Sequence, residues 1–394
     1  MKIGIDSRVL MDEHYSGVSE YTANLLIALL AQDKINEYKL FYNSFHDQSV
    51  KFKNYEQNKV EIIAQHFPNK IFNYVLEKTL KWPKLDKVLG GVDIFFSPHF
   101  NFSSFSKQTE LKKLITVHDL SFLRHPEFFS KRKNFWHRAL AIKNFLRQAD
   151  LIIAVSENTK ADIIDLMGIE AQKIKVIYSG NNLLKREISE TEKKNFLIKY
   201  KLTGRLILYL GNIEPRKNIT RLISAFNLLR SNQNNKFKDL KLVLAGASGW
   251  KNKKIYQAYK KSPFQNDIIF LGYISKKERE IAYRVSQIFV YPSLYEGFGF
   301  PPLEAMANGL PVLCSNVTSL PEVVADAALM INPFSEQEIS HALELLLTDQ
   351  NLRQQLIIKG YQQAAKFSWE KTANEYLKVF QQLYERSKNN EEKS

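Results

Sequence analysis

The sequence predicts an α/β protein made of two Rossmann-like, doubly wound domains in succession. Three observations carry this expectation. Short apolar runs alternate with amphipathic helical patterns along most of the chain, which implies parallel sheets with helices on both faces. The alternation stops at one polar, charged stretch, Lys185–Lys201, and then restarts. The length, 394 residues, exceeds what a single hydrophobic core usually serves.

In the first half, strands are expected at Lys2–Asp6, Lys39–Tyr42, Val60–Ile63, Ile94–Ser97, Leu114–Val117, Asp150–Val155 and Ile174–Ile177. Helices are expected at Val18–Ala31, Lys133–Gln148 and Asn158–Met167. After the polar stretch, strands follow at Arg205–Leu210, Lys241–Ala245, Asp267–Leu271, Ile288–Tyr291 and Pro311–Ser315. They alternate with helices at Asn218–Leu229, Lys276–Ser286 and Leu303–Asn308, and the chain is expected to finish in helices only, including Ser368–Glu385. The domains are thus expected at 1–184 and 200–367, with the helix 368–385 crossing back to the first. Lys388–Ser394 reads as a frayed polar tail.

Composition narrows the class. Hydrophobic residues make up 44% and charged residues 25%, the balance of a soluble globular protein. The first residues read as a buried strand rather than a signal peptide, and no run of about 18 apolar residues is present. A cytoplasmic location is therefore expected. The single cysteine, Cys314, excludes an internal disulfide framework or a cysteine-based metal site. Net charge is +15, and residues 185–284 hold 23 Lys/Arg against 8 Asp/Glu, which accounts for the whole surplus. Such a field suits nucleotides, phospholipid surfaces or nucleic acid, unless the lysines are simply scattered over solvated faces.

Ligands of open parallel sheets sit at the carboxyl ends of the strands, so the informative residues should follow strands. The strongest such segment runs from Tyr295 to Val312 and carries Glu296 and Glu304 eight apart. Gly297, Gly299, Pro301 and Pro302 forbid one continuous helix between the two carboxylates. The segment reads as a strand, a glycine-rich loop bearing Glu296, and a helix that starts at the prolines and places Glu304 in its first turn. Amides of Phe298, Gly299 and Phe300 at that helix start can bind hydroxyls or anionic oxygens, and two fixed carboxylates can accept from vicinal sugar hydroxyls.

The pattern Glu-x7-Glu within E-G-F-G-x-P-x-x-E-A-M-A-x-G-x-P-V resembles the retaining family 4 glycosyltransferases of the GT-B fold, whose two domains face each other across a cleft. The resemblance covers essentially the whole chain. It implies that Glu296 contacts the transferred sugar and that Glu304 binds the ribose hydroxyls of a nucleotide.

A second segment, Gly211-Asn212-Ile213-Glu214-Pro215-Arg216-Lys217-Asn218, follows another strand. A glycine turn and then Arg-Lys at a helix start suit a diphosphate, whose developing charge the cations would stabilise. The family resemblance assigns Lys217 to the donor phosphates. Many similar enzymes place an arginine directly after the glycine, where this chain has Asn212; Arg216 is expected to supply that charge.

Gly17 opens a helix after the first strand, either as a simple turn or as a place where backbone amides approach a phosphate. His118, in Thr116-Val117-His118-Asp119, ends another strand. Alone it reads as a structural hydrogen bonder; the resemblance places a sugar-contacting histidine there. Ser319-Leu320-Pro321-Glu322 resembles a further family loop near the donor, which adds Glu322.

No metal-ligand spacing stands out, so no metal and no bound cofactor are expected, with the nucleotide sugar as cosubstrate. Two segments, Phe67–Leu85 and Phe128–Phe145, interleave aromatics with basic residues, including Lys131, Arg132, Lys133, Trp136 and Arg138. They are either core-facing helices with solvated outer faces or segments that rest on anionic lipid. The latter reading implies peripheral association with the inner face of the plasma membrane and a lipid-linked acceptor, as in similar enzymes of surface polysaccharide assembly.

The expected activity is retaining, metal-independent transfer of a mannose- or glucose-like hexose onto a glycan or lipid-linked saccharide. The alternatives are another GT-B enzyme, such as a sugar-nucleotide epimerase or a phosphorylase, and a basic nucleic-acid binder. The binder would account for the charge but not for the Glu-x7-Glu loop, so no nucleic-acid partner is expected.

Overall fold

A computed structural model describes residues 1–11, 17–55, 59–68, 72, 79–107, 109–140, 142–181, 187–231 and 236–391. The chain divides into two compact units. One comprises Met1–Leu120, Phe135–Gly180 and Ser368–Ser394; the other comprises Ser121–Asn134 and Asn181–Phe367.

The first unit holds a seven-stranded sheet. Its strands are β1 (Lys2–Asp6), β2 (Glu37–Asn43), β3 (Val60–Gln65), β4 (Ile94–Ser97), β5 (Lys112–Val117), β6 (Leu151–Ala154) and β7 (Ile174–Val176). Their order is β3-β2-β1-β4-β5-β6-β7, and every pair is parallel. Strands such as Ile-Phe-Phe-Ser and Leu-Ile-Ile-Ala are buried along their whole length, as a sheet covered on both faces requires. The chain leaves β1 toward β2 and later returns on its other side to β4, so the carboxyl ends of β1 and β4 form the switch point where such sheets bind ligands. The helix Trp369–Glu391 belongs to this unit. Its Tyr376 hydroxyl lies 2.6 Å from both the Tyr21 hydroxyl and Thr116 Oγ1, which ties the last helix to the helix Gly17–Gln32 and to β5.

The second unit holds a six-stranded parallel sheet. Its strands are β8 (Arg205–Leu210), β9 (Leu240–Ala245), β10 (Ile268–Gly272), β11 (Ile288–Tyr291), β12 (Val312–Ser315) and β13 (Leu329–Ile331), in the order β10-β9-β8-β11-β12-β13. The switch point falls between β8 and β11, and the two motif segments singled out in the sequence are the loops that follow these strands.

Several elements differ from the sequence expectation. A strand, β13, follows β12, so the chain does not finish in helices only. It is three residues long at a sheet edge, too short to show a period. The polar stretch Lys185–Lys201 contains the helix Glu190–Lys199, opened by a capping box in which Ser189 and Glu192 bond each other's backbone amides. The single helix expected over Lys133–Gln148 is two, Lys131–Ala139 and Ile142–Gln148, with no proline or glycine to mark the break. The segment Ser121–Asn134, inside the span 1–184, groups with the second unit. There Trp250 Nε1 donates to Phe128 O at 2.7 Å, and the Trp250 ring stacks on Phe129 at 5.7 Å. Such contacts over a sequence distance of more than 100 residues leave no local trace.

Candidate active site

The loop after β8 and the loop after β11 bring four charged side chains into one alternating chain. Glu214 Oε1 accepts from Arg216 Nη2 at 3.1 Å and from its Nε at 3.2 Å. Arg216 Nη1 donates to Glu296 Oε2 at 2.9 Å, and Lys217 Nζ donates to Glu296 Oε1 at 2.6 Å. Glu214, Lys217 and Glu296 are all buried, so this is a charge cluster largely withdrawn from water. Buried charges persist only when paired and hydrogen-bonded, and alternation of sign meets that condition here. Burial acts to raise the Glu296 carboxyl, but Arg216 and Lys217 outweigh it and hold the group down at about 2. Burial and the neighbouring Arg216 charge lower Lys217 from its ordinary range, against the pull of Glu296 and Glu214.

Local structure explains why these groups meet. Pro215 lies at the start of a single 3₁₀ turn, Pro215–Lys217, which closes at Asn218 in the left-handed region with φ 59°. The turn aims Arg216 and Lys217 across the sheet edge toward β11, and Leu294 N donates to Arg216 O at 2.9 Å. Lys217 also donates to the Tyr291 hydroxyl at 2.6 Å, at the end of β11. These two bonds leave a third ammonium N–H for a ligand. Asn212 gives its backbone carbonyl to the Tyr209 hydroxyl at 3.1 Å, and the Arg216 guanidinium reaches Glu296.

The Glu296 loop is held from beneath by Ser319, whose Oγ lies 2.9 Å from Glu296 O and 2.8 Å from Phe298 O, its one proton shared between the two carbonyls. Gly299, with φ 115°, precedes the helix Phe300–Ala307; a Cβ there would lie 2.7 Å from Leu320 Cδ2. The helix starts at Phe300, one residue before Pro301, so Glu304 lies in its second turn rather than its first. Pro301 and Pro302 carry no N–H, so only the amides of Gly299 and Phe300 remain at this helix start. Glu322 stands in the short helix Leu320–Val324 and is half-buried.

Glu304 is buried away from the ion chain's named contacts. Its Oε2 accepts from the Tyr283 hydroxyl at 2.8 Å, and Oε1 lies 3.4 Å from Arg279 Nη1. Both partners stand on the helix Lys276–Val285, four residues apart and so on one face. Sequence reasoning missed Glu214, Tyr283, Arg279 and Tyr291. The E-P-R-K-N string contained Glu214 in plain view, whereas Tyr283 and Arg279 sit in an ordinary amphipathic pattern.

The two remaining candidates lie in the first unit. Gly17 opens its helix, and among the described residues no atom outside its own chain neighbours and helix lies within 4 Å of where a Cβ would stand. His118 follows β5; its Nε2 meets Pro98 O at 2.8 Å, and the Tyr21 ring packs edge-on at 4.6 Å. Burial drives the imidazole down to about 4, although Pro98 and Asp119 pull it up. Among the described residues no group of three or more His, Cys, Asp or Glu side chains is placed to hold a metal.

The model for glycosyl transferases of group 1 matches residues 190–363, and that for glycosyltransferase family 4 matches residues 15–183. The O-antigen chain mannosyltransferase B of Escherichia coli is 31% identical over 386 residues, covering 93% of this chain and 96% of that protein. The serotype-specific mannosyltransferase WbdA of E. coli is 32% identical over 280 residues, which cover 70% of this chain but 34% of WbdA. Among solved structures, sucrose-phosphate synthase from Thermosynechococcus elongatus superposes with a TM-score of 0.74 at 19% identity, over 98% of this chain and all of that one. HepE from Anabaena, in complex with UDP and glucose, gives a TM-score of 0.71 at 17% identity over 97% of this chain and all of its own. This chain belongs to the family 4, group 1 glycosyltransferases, and its two parallel-sheet Rossmann-like domains have the GT-B fold.

Proposed function

We propose that this glycosyltransferase moves a mannose-like hexose, with retention of configuration and without a metal, from a nucleoside diphosphate sugar onto a saccharide or lipid-linked acceptor of a surface polysaccharide. The observation that carries the reading is the Glu214–Arg216–Glu296–Lys217 chain at the switch point of the second sheet. Two cations suited to a diphosphate flank one carboxylate, which they hold ionised. In this reading Glu304 takes the ribose hydroxyls, Lys217 and Arg216 take the diphosphate, and Glu296, His118 and the amides of Phe298, Gly299 and Phe300 orient the sugar. Gly17 and Glu322 lie on the donor side. Both Glu296 oxygens are engaged by cations and the group is held near 2, which makes it a poor nucleophile. That supports front-face displacement over a covalent glycosyl-enzyme. The acceptor oxygen bonds to C1 as the C1–O phosphate bond breaks, and the departing phosphate takes the acceptor proton.

The reading is supported by the mannosyltransferase relatives and by the HepE complex with UDP and glucose. Among the described residues no helix is long and apolar enough to cross a membrane. We place the work at the inner membrane face, with the protein held there peripherally. A thermal-shift screen of GDP-, UDP-, ADP- and dTDP-sugars identifies the donor, because a ligand of the folded state raises its melting point. Transfer is then followed with that donor, with and without excess EDTA, and the product anomer is read by NMR. Activity lost to EDTA and restored only by a divalent ion overturns the metal-free reading; an inverted anomer overturns retention.

A further inference from the structure

Two imidazoles stand at the carboxyl ends of neighbouring strands in the first unit. His99 follows β4 and His118 follows β5, with ring centroids 6.0 Å apart. Tyr21 fixes the plane of His118 edge-on, and Phe100 lies 5.8 Å from the His99 ring.

The protons on the two rings can be assigned from their surroundings. A carbonyl only accepts, so the 2.8 Å contact with Pro98 O puts the His118 proton on Nε2 and leaves Nδ1 with its lone pair. In His99, Nδ1 is buried and has no hydrogen-bond partner among the described residues. An orphaned buried N–H is costlier and rarer than an under-satisfied acceptor, so the His99 proton belongs on Nε2. His99 as a residue is half-buried, and Nδ1 is among its buried atoms. Burial lowers both imidazoles to about 4, which keeps both neutral near pH 7.

We infer that His99 and His118 form a donor–acceptor pair for two hydroxyls of one sugar ring: His99 gives its Nε2–H, and His118 Nδ1 takes a hydroxyl proton. A pyranose presents hydroxyls that both give and take, so one donor and one acceptor together match a diol without adding charge. The inference rests on the reading of His118 as a sugar contact and adds His99 to it.

Nitrogen-15 spectra of the histidine side chains near neutral pH test the assignment, with both rings expected as Nε2–H tautomers. A proton on His99 Nδ1 overturns the inference. D-mannose on the order of 0.1 M serves as a ligand probe, enough to populate a site of millimolar affinity. It is expected to shift the signals of both rings, and an unshifted His99 refutes the pairing. Three variants give a position-specific check. His99→Gln places an amide nitrogen near the Nε2 position and should keep the mannose-induced shift at His118. His99→Asn places it near Nδ1 and should lose that shift, as should His99→Ala. If melting points fall in all three while the His118 response stays equal among them, His99 is structural and the inference fails. These measurements need no nucleotide-sugar turnover, so a wild type that transfers no sugar would defeat the proposed reaction while leaving the histidine pair to be judged separately.

Discussion

Lys217 Nζ and Glu296 Oε1 meet at 2.6 Å, and both side chains are buried, although they arrive on loops that follow different strands. The carboxylate occupies the cations where the proposed diphosphate would need them. Ligand binding must therefore repartition Lys217 and Arg216 between Glu296 and phosphate, and Glu296 acts as the resident anion until a stronger one arrives.

Glu296→Gln is expected to destabilise the unliganded protein by about 3–5 kcal/mol, because buried Lys217 loses the carboxylate it donates to and half-buried Arg216 loses one of its carboxylates, keeping Glu214. The same variant should bind a free nucleoside diphosphate at least as tightly as wild type while turning over slowly. Calorimetry and denaturant unfolding check both halves. A variant as stable as wild type that binds diphosphate more weakly would show that Glu296 does not compete for the cations.

Lys217→Ala should lower turnover by roughly one to three orders of magnitude, the range for removing a donor aimed at charge developing in the transition state. Acceptor affinity should change little. Steady-state kinetics with the donor chosen by thermal shift separates the two, and a wild-type rate removes Lys217 from the mechanism.

Tyr283→Phe removes the hydroxyl that donates to Glu304 Oε2 at 2.8 Å. Nucleoside diphosphate affinity is expected to fall by roughly threefold to tenfold, the worth of one hydrogen bond of about 1 kcal/mol. Glu304→Ala should cost more, and the double variant should cost no more than Glu304→Ala alone. Additive losses in this cycle would mean that Tyr283 acts apart from Glu304.

Much of this site was legible because its motifs are contiguous. Glu296, Gly299 and the prolines sit in one string, and Pro215-Arg216-Lys217 in another, each just after an apolar run that could only be a buried strand. The strands of both sheets, apart from the three-residue edge strand β13, were legible for the same reason. What the sequence hid depends on packing across long intervals. Tyr283 is placed on Glu304 by a helix 21 residues upstream. The unpaired Nδ1 of His99 is a property of its surroundings, and the turn of Glu304 depends on whether the helix begins at Phe300 or at Pro301. The capping box at Ser189 and Glu192 was readable, but the surrounding charge made the stretch look like a linker.

The histidine pair also sets a pH dependence. His99 and His118 are held at about 4 in the folded protein, against an ordinary 6.5. Between these values the unfolded chain binds more protons than the folded one, so stability rises with pH across that window and is lost as pH falls from 6.5 toward 4. Denaturant unfolding over this range should show the loss, and the double variant His99→Gln, His118→Gln should flatten the profile there. An unchanged slope would mean that other groups carry it.

The last expectation concerns the membrane. In the segment 79–84, Leu80 is 61% and Trp82 52% exposed, with Lys81 exposed beside them. Residues 69–71 and 73–78, Lys78 among them, and the side chains of Trp136 and Arg138 lie outside the described residues. A half-exposed tryptophan next to lysine is the arrangement an anionic interface favours, the ring entering the headgroup layer and the amine meeting phosphate. Each basic residue near such a surface contributes about 1 kcal/mol, and the surplus of the second domain adds a longer-range attraction. Liposome co-sedimentation should therefore show binding to anionic vesicles that fades as salt rises, because screening shortens the reach of the charges. Trp82→Ala should weaken binding at every salt concentration, whereas neutralising Lys81 and Lys84 should weaken it mainly at low salt, where their attraction is least screened. If the wild type stays in the supernatant with anionic vesicles at low salt, Leu80 and Trp82 serve some other contact and the lipid-linked acceptor loses this support.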